Sequence, residues 1–150
     1  MLHVVLYQPE IPHNTGAVGR LCLAAGARLH LIKPLGFSLE DKYLKRSGLD
    51  YWHQVDVRVW EGWEDFEREH GGARMAFIEC QGERPHWEAD FSGAGELCLV
   101  YGPETRGIPP SILERHPGAS WHIPMRPGAR SLNLSTAVAI TLYEAARQRR

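Results

Sequence analysis

Leu97-Cys98-Leu99-Val100-Tyr101-Gly102-Pro103-Glu104-Thr105-Arg106-Gly107-Ile108-Pro109 reads as a strand, a rigid loop and the start of a helix in one run. Its apolar opening, bounded by Gly95 and Gly102, has the length and composition of a strand buried on both faces. A Gly-Pro break follows, then a carboxylate, an arginine, a second glycine and a proline pair that opens the next helix. Proline loses nothing in a first helical turn, whose N–H groups have no intrahelical partner. In an open α/β sheet, ligands gather in the loops beyond the carboxyl ends of the strands. This loop is therefore the first candidate for a binding site.

The flanking chain has the alternation that such a sheet requires. Residues 2–7 form a nearly continuous apolar run suited to a strand covered on both faces. Gln8-Pro9-Glu10-Ile11-Pro12-His13 cannot continue a helix or a central strand, because its prolines lack N–H donors. Asn14 is then read as a helix N-cap. Val18, Leu21, Cys22 and Ala25 follow at helical spacing, Gly26 stops the helix, and residues 28–32 make a second strand. This is a β-α-β unit, the builder of parallel sheets. Ser38 and Asp41 resemble a capping pair for a short helix through Arg46, stopped by Gly48. The basic face of that helix, Lys42, Lys45 and Arg46, suits either solvent or a phosphate.

Strict alternation over residues 55–60 predicts a half-exposed strand near a sheet edge, followed by a charged surface helix over 61–70 carrying Trp63 and Phe66. Residues 75–80 read as a buried strand and 81–95 as a long irregular loop. After the central strand come a helix around 111–115, a final strand over 120–125, a Pro-Gly loop over 126–130 and a closing helix over 131–149. The expectation is one α/β domain over residues 1–150, a mostly parallel sheet with helices on both faces. The closing helix is apolar on a second side, at Ala139, Ile140, Tyr143 and Ala146, where a surface helix should be polar. It either packs between body and loops or forms a dimer seam.

Composition narrows the functional classes. The chain has 150 residues, 43% of them hydrophobic and 23% charged, and a net charge of −1 that exerts no global pull on a polyanion. Any nucleic acid must be met by a local basic patch. No membrane span or signal peptide is visible, and Cys22, Cys80 and Cys98 read as buried free thiols of a reducing cytoplasm. Neither G-x-G-x-x-G after the first strand nor G-x-x-x-x-G-K-[ST] occurs, which leaves dinucleotide and P-loop sites without support. The histidines lack H-E-x-x-H spacing and there is no Cys-x-x-Cys, so no metal is expected. G-x-S-x-G is also missing.

Three loops remain. Asn14-x-Gly16-x-x-x-Arg20, then Leu99-Val100-Tyr101-Gly102-Pro103-Glu104-x-x-Gly107, then Ile123-Pro124-Met125 followed by Ser131-Leu132-Asn133-Leu134-Ser135 resemble the three ordered motifs of the SPOUT RNA methyltransferases. Within that family the chain is most similar to the minimal members that methylate the ribose 2′-hydroxyl of the tRNA wobble nucleotide, cytidine or modified uridine at position 34. The match runs from Tyr7 to Ala145. The resemblance implies S-adenosylmethionine as methyl donor, a homodimer, the anticodon stem-loop as partner and a trefoil knot in the C-terminal third.

It also implies that Ile78, Gly102, Ile123 and Ser131 line the donor pocket, Gly102 because a side chain would block close approach. Arg20 and Asn133 carry the catalytic roles. Arg20 matches a residue assigned as general base, but a guanidinium stays protonated. Holding a phosphate or stabilising the developing alkoxide suits it better. Asn133 either caps the closing helix or bonds near the methyl. Asn14, Glu104, Arg130 and Tyr143 are candidate substrate contacts, with Tyr143 reaching a partner subunit's site. Lys42, Lys45, Arg46, Arg126 and Arg130 are candidate RNA contacts. Ribosomal RNA as substrate, or a non-catalytic RNA-binding module, is the alternative.

Overall fold

Strand pairing puts the Leu97–Tyr101 run at the centre of the molecule. The computed structural model describes residues 1–42, 44 and 49–150. Its seven strands are β1 (Leu2–Tyr7), β2 (Arg28–Ile32), β3 (Val57–Trp60), β4 (Arg74–Ile78), β5 (Arg84–Pro85), β6 (Leu97–Tyr101) and β7 (Ser120–His122). They form one sheet in the order β3-β2-β1-β6-β4-β7-β5. Every pairing is parallel. All five residues of β6 are buried, as a strand with covered neighbours on both sides requires. The alternating segment begins as a strand at Val57 and lies at the sheet edge.

The helices that pack on the sheet are α1 (Pro12–Ala25), α2 (Trp63–His70), α3 (Pro110–Leu113) and α4 (Leu134–Gln148). Alternate strand residues face opposite sides, so the sheet carries two cores. Val4, Leu6, Leu29, Leu99 and Tyr101 pack with Val18 and Cys22 of α1 and with Val138, Leu142 and Ala145 of α4. Val5, Phe77, Cys98 and Val100 pack on the other side with Trp63 and Phe66 of α2 and Ile112 of α3. Tyr101 pins α4 to the central strand: its hydroxyl lies 2.5 Å from that of Thr141, which donates to the Ala137 carbonyl at 2.9 Å. Burial pushes the Tyr101 phenol pKa upward.

Several local expectations need correction. Asn14 does not cap α1: the cap is Ile11, without a side-chain bond, because Pro12 already occupies the first turn. Asn14 is inside that turn and its amide is committed elsewhere. Cys22 and Cys98 are buried, but Cys80 is exposed, because β4 ends at Ile78 and the chain leaves the sheet. Residues 81–95 are not wholly irregular: β5 adds to the edge at β7, and a 3-10 turn, His86–Glu88, follows. β7 stops at His122, short of Met125, as expected where Pro124 removes a donor. The body of the helix placed over 38–46, with Lys45 and Arg46, lies outside the described residues. Ser38 makes a turn there, its hydroxyl accepting from the Glu40 N–H at 3.1 Å.

Candidate functional site

Register brings the three motif loops to one place. Tyr101 is level with Leu6 on one side and Ile78 on the other, and Ile78 is level with Trp121. Beyond the same sheet edge lie residues 8–11, 79–81, 102–108 and 123 onward. Gln8, in the left-handed region at φ 48°, turns the chain there from β1 toward α1. Ile11, residues 79–81 and 102–107 and the chain from Ile123 line an open cleft of about 520 Å³ among them, within the range of small-ligand sites. Ile78, Gly102, Ile123 and Ser131 line it, as do Asn14, Glu104 and Asn133.

A web of polar bonds fixes the loops to one another. Glu104 accepts the backbone N–H of Glu10 at 2.8 Å and of Ile11 at 2.9 Å, and the Asn14 amide at 3.2 Å. Glu10 returns the bond by accepting the N–H of Thr105 at 2.8 Å and its hydroxyl at 2.7 Å. Those bonds hold the Glu10 carboxyl below its ordinary pKa. The Asn14 carbonyl oxygen accepts from the Asn133 amide at 3.0 Å. The Asn133 oxygen caps α4, taking the Ser135 N–H at 2.9 Å. One chain of bonds thus ties all three motifs, with Asn14 and Asn133 as its middle links.

Gly102 also has a reason of its own, within the loop, to lack a side chain. A Cβ there would stand 3.0 Å from the backbone of Gly107 and Ile108, so the glycine lets the loop fold back on itself. Gly107 has no such need; a Cβ would meet only the Glu79 carboxylate, at 3.8 and 3.9 Å. Glu79 is a pocket residue that motif reading missed. Its one signal is position, an acid ending an otherwise apolar strand. Glu10, the partner of Thr105, was likewise hidden, because its role depends on a loop 95 residues away.

Three of the expected residues stand outside this cavity. Arg20 is exposed on α1, its guanidinium 5.6 Å from the centre of the Tyr51 ring. Arg130 is exposed in the loop before α4, and Tyr143 is 47% exposed on the far face of α4 beside Ile140. Lys42 and Arg126 are exposed as well.

A second polar cluster occupies the opposite edge of the sheet. His3, His70 and Glu96 place one potential ligand atom each within 4.8 Å of one another, a grouping the scattered sequence positions did not suggest. Hydrogen bonding determines its protons. The Trp60 indole N–H can only donate, and it reaches His30 Nδ1 at 3.0 Å. The His30 proton is then on Nε2 and faces His3 Nδ1 at 2.9 Å. The His3 proton is therefore on Nε2, directed at Glu96 at 3.2 Å. A metal at His3 Nε2 would have to displace that proton and break the relay, so the cluster reads as a structural network.

A parallel α/β sheet whose cavity is lined by three interlocked loops at its carboxyl edge defines the class of protein. The chain belongs to the SpoU rRNA Methylase family, which it matches over residues 1–143. It is 50% identical to the tRNA (cytidine(34)-2′-O)-methyltransferase of Methylovorus glucosotrophus, over 99% of this chain and 96% of that one. A solved structure described as giving insight into the 2-OH methylation of C/U34 on tRNA superimposes with a TM-score of 0.91 at 47% identity, covering 99% of this chain and 95% of the other. An AdoMet-bound rRNA methyltransferase from Sinorhizobium meliloti gives 0.86 at 27% identity, covering 97% of this chain but 56% of that one.

Proposed function

We propose that this chain transfers a methyl group from S-adenosylmethionine to the ribose 2′-hydroxyl of the wobble nucleotide, C34 or U34, of tRNA. The observation that carries the reading is the convergence of three separated motifs on one cavity, in a chain 50% identical from end to end to a relative of that activity. Ribosomal RNA is less well supported, since the rRNA enzyme shares 27% identity and about half of its length is matched.

The cavity fits the donor. It offers apolar walls at Ile78 and Ile123, the Ser131 hydroxyl, and a half-buried carboxylate at Glu79. When bound, S-adenosylmethionine supplies an electrophilic methyl on a sulfonium. The protein then has to orient and enclose the reactants, and well-oriented reactions gain about 7–11 kcal/mol from positioning. Glu104, Asn14 and Asn133 do this through the loops, as positioning residues. Arg20 acts on the RNA side, where a permanently charged guanidinium grips a phosphate or steadies charge growing on the 2′-oxygen. Ile140 and Tyr143 form part of a homodimer seam that lets Arg20, Arg130 and Tyr143 complete a site with a partner. Sedimentation as a monomer at micromolar concentration would overturn the seam.

A C-terminal trefoil knot belongs to the same reading. It is supported by the chain's membership of the SpoU rRNA Methylase family. Pulling the chain by its termini to its full contour length would exclude the knot. The reading places the protein in the cytoplasm, with tRNA.

Nucleoside mass spectrometry of tRNA incubated with protein and donor tests the function. Wild type yields 2′-O-methylated nucleoside at position 34. Arg20→Ala abolishes the product while calorimetry still registers donor binding. Loss of donor binding in a folded Arg20→Ala protein would overturn the assignment of Arg20 to the RNA side.

A further inference from the structure

We infer that Glu79 is the residue that gives this pocket its electrostatic preference for a positively charged methyl donor over the neutral thioether left after transfer. The inference rests on the proposed donor site and adds a residue to it. Two glutamates line the cavity, and they differ in what occupies their oxygens. Both Glu104 oxygens are taken by the Glu10 and Ile11 N–H groups and the Asn14 amide, so this carboxylate is spent on the loops.

Glu79 accepts one bond, from the Ile108 N–H to Oε2 at 3.2 Å. Among the described residues Oε1 has no donor, and no arginine or lysine pairs with the group. Burial raises its pKa, and the only opposing influence is that single N–H. A partly desolvated carboxylate without a countercharge is a costly thing to hold in a cavity wall. Gly107 borders the same carboxylate, and a Cβ there would meet its two oxygens only at ordinary contact distance, 3.8 and 3.9 Å. A cation entering the cavity supplies the missing charge. The sulfonium is the feature that S-adenosylmethionine has and S-adenosylhomocysteine lacks.

An uncompensated unit charge facing a bound cation at intermediate dielectric changes affinity by about tenfold or more. Titration calorimetry of the full chain with S-adenosylmethionine and with S-adenosylhomocysteine, for wild type and Glu79→Gln, reads this directly. Glutamine keeps the shape and an acceptor oxygen but removes the charge. The expected result is an affinity loss of about tenfold for S-adenosylmethionine and less than about threefold for S-adenosylhomocysteine. Glu79→Asp, which keeps the charge, should retain most of the wild-type selectivity and guards against a fold defect in the amide variant. Equal losses for both ligands, or no loss for either, would overturn the charge role. Wild type that binds neither ligand would instead overturn the proposed donor site itself.

Discussion

At the scale of single residues, Glu104 holds more of the site together than any other side chain described. It receives three donors: the backbone N–H groups of Glu10 and Ile11, which lead into α1, and the side-chain amide of Asn14 in the first turn of that helix. Removing the acceptor strands all three. Glu104→Ala is expected to lower the unfolding free energy by about 2–3 kcal/mol, read from urea midpoints. Glu104→Gln, which keeps one oxygen, should lose roughly half of that. Both variants should weaken donor binding, because the loop they loosen contains Gly102. The motif itself was visible in the sequence, but its wiring was not. Asn14 has the right chemistry for a cap, yet Pro12 had already opened the helix and left the Asn14 amide free to reach Glu104 and Asn133.

At the scale of elements, apolar runs and breakers disclosed most strands and helices, since burial on both faces leaves a plain compositional mark. Pairing order was not legible: nothing local says that β6 inserts between β1 and β4 while β7 passes to the outside of β4. The short β5 was missed because two residues ending in proline carry no period. Gly82 leads into β5 hard against the neighbouring β7. An added Cβ would meet the Trp121 carbonyl carbon at 2.1 Å and its oxygen at 2.4 Å, backbone atoms that no rotamer change can move. Gly82→Ala should cost more than about 4 kcal/mol, or leave no folded protein, in a denaturant titration. Gly95→Ala is the control; a Cβ there meets nothing within 4 Å, and its effect should stay within about 0.5 kcal/mol.

The whole molecule has two polar centres: a cavity beyond the carboxyl ends of the strands, and a histidine relay that runs from His3, near the amino end of β1, through His30 to Trp60. The relay makes stability depend on pH, and its sign follows from the protons. His30 is fully buried and neutral, with Nδ1 occupied by the Trp60 indole N–H, so a second proton has nowhere to go. Burial, reinforced by His3, His70, Arg28 and Arg58, depresses its pKa to about 3. His3 is lowered too, chiefly by burial, with Glu96 pulling the other way. Unfolded histidines titrate near 6.5, so below that pH the unfolded chain binds protons that the folded chain refuses. The stabilisation is complete above about pH 6.5 and is lost as pH falls toward 3, at up to about 1.4 kcal/mol per pH unit for His30. Between pH 7 and pH 5 the urea midpoint should fall by the equivalent of about 2 kcal/mol, and His30→Gln should flatten that slope. A wild-type midpoint that does not move over this interval would show that the relay accepts a proton after all. The cavity lies at the far edge of the sheet, so donor affinity measured where the fold is intact should not follow the same curve.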